Sequence, residues 1–408
     1  MAVEAKEGDP DSRWLTPAVG AIGSASLLAD LGHEVPTSLL PSFLTSTLGA
    51  PAAALGAIEG IADGLAGAAR FAGGALADDP HRRRDTAVAG YTATAVLTAA
   101  IGATTAVWQV AVLRAGGWAA RGLRVPSRNA LLADVVPAGA YGRAYGLERA
   151  MDNLGAIGGP LLALALVALV GVRSAILISV VPGLLAVVAI VIAIRSAPKL
   201  GVRERRPLRF RVRPVLRGGL GRLFVGIGAF EFGNAAATLL ILRATDLLEP
   251  GRGHDAAVEI ALLLYAGYNL AATLASVFGG HVADRYGNVR VLAVGVGAFL
   301  IAYLGFGTVG STVLALALLF AAAGIGIGLV ETAEHAAVAT LAPDEIRGSA
   351  FGLLAATQSF GNLAASAIAG ALWTLASPRV AFLYLAGWML VSLAALTLTQ
   401  RPVAVAPR

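Results

Sequence analysis

The chain has 408 residues, of which 57% are hydrophobic and only 14% charged, and a mean hydropathy of +0.75, whereas roughly a quarter of an ordinary soluble domain is charged. That balance excludes a soluble globular enzyme and predicts an all-α polytopic membrane protein. Cysteine is absent and the five histidines are scattered without an HExxH pair, so no disulfide, thiol chemistry, metal centre, cofactor or enzymatic constellation is expected. The formal net charge of +6 reads as membrane topology and not as a nucleic-acid surface, because most basic residues flank apolar runs.

The N-terminal MAVEAKEGDPDSRW is acidic and polar, so it is expected to remain uncleaved on the cytoplasmic side. Apolar stretches long enough to cross about 30 Å of hydrocarbon fall near 16 to 45, 52 to 77, 87 to 105, 107 to 132, 144 to 170 and 174 to 195. Six more fall near 222 to 247, 257 to 281, 289 to 309, 312 to 337, 348 to 373 and 380 to 400. The break between them carries Arg195, Lys199, Arg203, Arg205, Arg206, Arg209, Arg211, Arg213, Arg217 and Arg222 against one acid, Glu204. The expected organisation is therefore a six-helix bundle over 1–195, a basic linker over 196–221 that acts as a tether, and a second six-helix bundle over 222–408. Alternate loops collect Arg82, Arg83, Arg84, Arg128, Arg143, Arg285, Arg290 and Arg347 on one side with the linker and both termini. By the positive-inside rule that side is cytoplasmic, which places the chain in the inner (plasma) membrane with both termini inside.

Ionisable residues cost about 2.5 to 3.5 kcal/mol each in hydrocarbon even on lenient scales, so those retained face a partner or a wet cavity. Span 1 carries Asp30, His33 and Glu34, with Asp30 and Glu34 on one helical face. Span 2 adds Glu59 and Asp63 at the same spacing, and Asp63 reaches the depth of Asp30, so the two spans are expected to form an acidic wall. Asp30, Glu34 and Asp63 are the proton-coupling candidates. Span 4 presents Arg114, Arg121 and Arg128 at seven-residue intervals, with Arg124 between them. Glu148, Arg149 and Asp152 of span 5 are expected to join Arg124 and Arg128 in an ion-pair network. In the second half, Glu231 is deep and has no basic residue nearby in its span. The substrate-binding candidates are His33, Glu59, Arg114, Arg121, Glu231, Asn234, Tyr265 and Tyr268, although the tyrosines read more readily as core.

One offset of 206 residues relates the halves. Gly73, Gly74, Ala77 and Asp78 recur as Gly279, Gly280, Ala283 and Asp284; Pro137, Gly142, Ala144, Gly146 and Leu147 recur as Pro343, Gly348, Ala350, Gly352 and Leu353. The halves are thus parallel copies. Twelve spans in two such halves, with GGHVADRYGNVR after the second span of the second copy, resemble the major facilitator superfamily (MFS). The first copy, GGALADDPHRRR, departs from the signature at Asp79. The resemblance implies the MFS fold, twelve transmembrane helices in two pseudo-symmetric bundles around a central cavity lined mainly by spans 1, 4, 7 and 10. Asp78, Asp284 and Arg285 are gating candidates, since an acid at a helix end can hold arginines or a neighbouring helix N-terminus in one state and release them in another. Glu334 stands where Arg128 stands in the first half, so these two either pair across the halves or meet water. Gly159 and Pro160, in Gly155-Ala-Ile-Gly-Gly-Pro, resemble the superfamily's antiporter motif, and Arg114 resembles its buried span 4 arginine.

The function expected is secondary active transport of a small solute by alternating access, with protons as coupling ion, in the direction of export, for a cationic or amphiphilic compound, by a monomer in the lipid bilayer. A divalent metal exporter and an uptake symporter for an organic anion held by Arg114 and Arg121 are the transport alternatives. A non-transporting membrane sensor is the alternative from another class.

Overall fold

The structure, a computed structural model, describes residues 14–197 and 207–399, and every regular element among them is helical. The first half comprises α1 (Pro17–Ser42), α2 (Ala52–Ala77), α3 (Pro80–Ala100), α4 (Val107–Val135), α5 (Tyr141–Ile178) and α6 (Val180–Ser196). After a short α7 (Val212–Val215), the second half comprises α8 (Gly218–Gly233), α9 (Thr238–Arg252), α10 (His254–Tyr286), α11 (Asn288–Thr308), α12 (Val313–Leu341), α13 (Arg347–Leu375) and α14 (Pro378–Thr399). These map onto the twelve expected spans in two bundles. The repeat survives in the backbone: α4 and α12 start and stop 206 residues apart, as do the starts of α5 and α13.

Seven helical stretches among the described residues are long and apolar enough to cross a membrane by length and composition alone. The remaining spans include α1, α4 and α13, whose apolar runs are diluted by polar residues that turn toward the interior. For α4 and α13 this is the pattern of helices that line a wet cavity instead of facing lipid on all sides.

Three boundaries differ from expectation, each for a local reason. α3 begins at Pro80 because Asp79 caps it, accepting from the amides of His81 (2.8 Å) and Arg82 (3.1 Å) with Pro80 at the first turn. The basic trio Arg82 to Arg84 therefore belongs to a helix and not to a loop, and the departure at Asp79 is a capping residue. Spans 5 and 6 are separated only by Gly171, whose φ of 78° and ψ of 168° interrupt α5. Span 7 is broken between α8 and α9. The freed backbone is satisfied from α13: Ser366 Oγ accepts from the Ala236 amide (2.9 Å) and Asn362 Nδ2 donates to the Asn234 carbonyl (2.7 Å).

In the linker, Lys199, Arg203, Arg205 and Arg206 lie outside the described residues. Its following part is seated on the first half, where Phe210 stacks on Phe71 of α2 with ring centroids 5.2 Å apart.

Candidate functional site: a charged cavity between two seams

The halves meet through α2 against α13 and α5 against α10, and the repeated glycines lie at both contacts. A Cβ on Gly74 would sit 2.7 Å from the Gly352 Cα, and one on Gly352 would sit 2.6 Å from the Gly74 Cα. At the equivalent place in the other seam, a Cβ on Gly280 would sit 2.8 Å from the Gly142 carbonyl carbon. Only glycine lets these backbones touch. Each seam ends in the acid of its motif, which caps a helix of the opposite half. Asp78 accepts from the Ser349 amide (2.8 Å) and hydroxyl at the start of α13. Asp284 accepts from the Gly142 amide (2.6 Å), the Arg143 amide (3.1 Å) and the Arg143 guanidinium (2.9 Å) at the start of α5. Burial pushes the Asp78 carboxyl above its ordinary range, and the two Ser349 bonds pull it partly back. Asp134 of α4 adds a charged bridge, pairing with Arg83 of its own half and, at 3.8 Å, with Arg347 of the other.

Beyond the seams, the contact thins along α2. Gly67 still packs on the Phe360 ring, whereas a Cβ on Gly64, Gly60 or Gly56 would meet nothing within 4 Å. Phe360 and Leu363 of α13 are correspondingly 51% and 59% exposed. Between the halves lies a cavity of about 530 Å³, closed at the arginine-rich face by the seams. Its first-half wall carries Asp63, Arg70, Trp118, Arg121, Arg124, Arg128, Arg149 and Asp152. Its second-half wall carries Glu231, Asn234, Glu331 and His335, with Gln358, Ser359, Asn362 and Ser366 of α13.

The acidic wall expected from spans 1 and 2 is broken up by arginines. Asp30 is buried and pairs with Arg121 at 3.1 Å, within hydrogen-bond reach of Asp152 as well. Glu59 pairs with Arg114 at 3.0 Å, and Arg114 also donates to Thr37 Oγ1 (3.1 Å) and lies over Trp118. Of the group only Asp63 lines the cavity, while Glu34 packs over Gly159 of α5. His33 turns away from the cavity into the first bundle, edge-on to Trp118 with ring centroids 4.5 Å apart. It lines a small internal pocket with Tyr91, Thr94, Thr98 and Arg124. Among the described residues no group of three or more acids and histidines is arranged to hold a metal ion. Arg114 and Arg121, the residues on which the organic-anion alternative turned, both have carboxylate partners.

The ion-pair network on spans 4 and 5 is present: Arg128 meets Glu148 (2.8 Å) and Asp152 (3.5 Å), and Arg149 meets the same two acids (2.7 and 3.2 Å). Arg124 is the exception, lying instead over the Tyr91 ring at 4.0 Å. That network overturns the expected Arg128–Glu334 contact. Both residues are buried, Arg128 on the cavity wall with its two acids, and Glu334 is bound within its own half by Gln358. Arg285 is exposed and stacks on Tyr286 of its own helix. Tyr265 and Tyr268 stack on each other with centroids 5.6 Å apart and pack on the hydrophobic core, outside the cavity lining. Glu231 is buried and accepts from Asn234 Nδ2 (3.1 Å) at the helix break. Pro160 sits inside α5, one residue beyond the Gly159 contact with α1.

Sequence reasoning missed Arg70, which donates across the halves to Ser359 Oγ and the Ala355 carbonyl (3.4 Å). It also missed the polar stripe Gln358, Asn362 and Ser366. A signal was present in each case: Arg70 follows Asp63 by two helical turns, and the α13 residues recur every four positions in an apolar helix. The cavity lining holds no excess of acids, since four carboxylates face five arginines.

Against known proteins, the family model of the Major Facilitator Superfamily matches residues 22–245 and 249–408. The chain is 28% identical over 382 residues to an uncharacterized MFS-type transporter of Methanocaldococcus jannaschii, covering 93% of this chain and 94% of that one. It is 26% identical over 365 residues to an uncharacterized protein of Mycobacterium tuberculosis, covering 88% and 87%. Among solved structures it is similar to a bacterial homologue of the iron transporter ferroportin in an outward-facing state (17% identity, 94% and 97% covered, TM-score 0.70). It is also similar to the human organic anion transporter MFSD10 (16% identity, 93% and 99% covered, TM-score 0.69). At these identities the structural likeness shows the fold.

Proposed function

The chain belongs to the Major Facilitator Superfamily, a multi-pass membrane transporter without enzymatic chemistry, and from that premise we propose that it exports a small cationic or amphiphilic compound in exchange for protons. One observation carries this reading: a cavity holding carboxylates lies between two pseudo-symmetric halves, which approach each other closely at the arginine-rich end through two equivalent seams. With that face cytoplasmic in the plasma membrane, the conformation is open outward, and release of Asp78 and Asp284 from the opposite helices opens it inward.

Protons enter through Asp63, which faces the open cavity, and reach Asp30, which holds Arg121. A proton on Asp30 removes the charge that fixes Arg121, and Arg121 is then free to turn to Asp152 or to the cargo. Gly155 and Gly159 of the antiporter-like stretch touch α1 beside Leu27, Asp30 and Glu34, so a charge change on α1 is felt directly by α5. The cationic end of the cargo rests on Glu231 and Glu331 of the second half. A monomer suffices for this cycle.

The test is purified protein in liposomes with a trapped pH dye, given lipophilic cations, divalent metals and organic anions in turn. Cargo-driven proton flux with cations, lost in Asp30→Asn, is expected. Flux unchanged in Asp30→Asn moves the coupling site away from Asp30, and no proton movement with any cargo overturns proton coupling.

A further inference from the structure

The charges left in the cavity after internal pairing are divided between its two walls. On the first-half wall, Arg121, Arg128 and Arg149 each meet a carboxylate. Arg124 does not: it is 3% exposed, its Nε has no hydrogen-bond partner, and its guanidinium lies over the Tyr91 ring without an ion pair to any described residue. Arg70 donates to a neutral hydroxyl and a carbonyl, and its Nε is also without a partner.

The second-half wall is the reverse. Glu231 receives a neutral amide, Glu331 has no hydrogen bond or ion pair from a described residue to its carboxylate, and the fully buried Glu334 behind them has Oε2 without a partner. Among the described residues, no arginine or lysine of the second half lines the cavity. Buried charges without partners are costly, and a ligand that pairs them recovers that cost. A simple cation satisfies one wall and leaves the arginines bare, and a simple anion does the opposite.

We infer that the cargo is a zwitterion, with its anionic group on Arg124 and Arg70 and its cationic group on Glu231 and Glu331. The inference rests on the reading of this cavity as the cargo site, and it narrows the cationic or amphiphilic class to molecules carrying both charges. Binding of such a molecule draws the two walls together through opposite charges on opposite halves, which is what an alternating-access cycle requires of its cargo.

The test uses the full-length protein in nanodiscs and the intrinsic fluorescence of Trp118, which lines the cavity, with Trp118→Phe as the blank. The probes are 4-aminobutanoate, 6-aminohexanoate and 8-aminooctanoate, against hexylamine and hexanoate as single-charge controls. At least one aminoalkanoate is expected to saturate the signal at a concentration tenfold or more below both controls. Glu331→Gln should weaken the aminoalkanoate and hexylamine but not hexanoate. Arg124→Gln, with Arg70→Gln as a second variant should the first fail to fold, should weaken the aminoalkanoate and hexanoate but not hexylamine. Hexylamine or hexanoate binding as tightly as every aminoalkanoate overturns the inference, as does the absence of saturable aminoalkanoate binding. Hexylamine binding alone, with proton flux in liposomes, discards the zwitterion and leaves proton-coupled export standing. Saturable aminoalkanoate binding without proton flux discards the coupling and leaves the zwitterion.

Discussion

The two seams have the same backbone and different electrostatics. In both, glycines of one repeat touch glycines of the other and an acid caps the helix that begins opposite. The difference lies at one repeated position, 143 in the first half and 349 in the second: Arg143 adds its guanidinium to Asp284, whereas Ser349 adds a hydroxyl to Asp78. Duplication thus preserved what holds the halves together here, close approach plus a capped helix, and let the donor to each acid vary. A latch with a hydroxyl on its acid and a latch with a guanidinium on its acid respond differently to salt, pH and mutation while holding the same geometry.

The largest effect should come from the feature the seams share. Leucine at Gly352 or at Gly146 has no room, and overpacking of this kind costs roughly 3 kcal/mol, about a hundredfold in the ratio of closed to open. The chain has no cysteine, so spin labels at Ala138→Cys and Glu345→Cys, exposed positions on the arginine-rich face of each half, report the distance across the gate. Both variants should lengthen it by a similar amount, with Gly56→Leu as an unaffected control. A response confined to one seam would show that the other is not needed for closure.

Next in size is removal of the capping charge. Asp284→Asn forfeits the ion pair with the Arg143 guanidinium, which should cost about 3 kcal/mol, while Asp78→Asn, whose Ser349 bonds carry the charge on the acceptor side alone, should cost about 1.5 kcal/mol. The same label pair should therefore show a greater open fraction for Asp284→Asn. The reverse order would mean that burial of Asp78, and not the identity of its donor, sets the strength of the latch.

How much of this was legible beforehand depends on the range of the interaction concerned. The twelve spans follow from composition and helix length, and the seams follow from the 206-residue repeat, because glycine and aspartate were duplicated together with their surroundings. The acid–arginine pairs on α4 and α5 were readable from helical spacing. What was not readable is the choice among partners. Asp30 and Glu59 resembled a free acidic wall until α4 brought Arg121 and Arg114 to them from 91 and 55 residues away. The break in span 7 has its cause in Asn362 and Ser366, 128 and 130 residues on. His33 shares a helix with Asp30 and Glu34, but its turn into the bundle is set by Trp118. One-dimensional periodicity gives a side chain's face; which neighbour occupies that face is a property of the packed bundle.

Salt separates the latches more gently. Arg143 and Asp284 are 13% and 11% exposed, enough for partial screening, so raising sodium chloride from about 0.05 to 0.5 M should weaken the α5/α10 seam by roughly 0.5 kcal/mol. Arg143→Ser, which copies the Ser349 arrangement, should remove that dependence of the label distance. Salt sensitivity that persists in Arg143→Ser would assign it to the Arg83–Asp134–Arg347 bridge instead.

The smallest effect expected is that of pH on the Asp78 latch. In the closed seam, burial holds the Asp78 carboxyl above its ordinary value of 3.8, with the Ser349 bonds and the more distant Arg211 and Arg83 opposing the shift. Opening the seam returns the group to water and to that ordinary value, so the closed form binds the proton more readily than the open one. Closure should accordingly strengthen as pH falls from the raised value toward 3.8, and weaken again as pH rises through the raised value. Other acids titrate over the same range, so the measurement is the difference between the wild type and Asp78→Asn in label distance from pH 7.5 to 4.5. The wild type should gain closed population on acidification beyond any gain in the variant. An equal response in both would mean that the Ser349 bonds are lost on protonation at a cost that cancels the relief of burial, making this latch indifferent to pH.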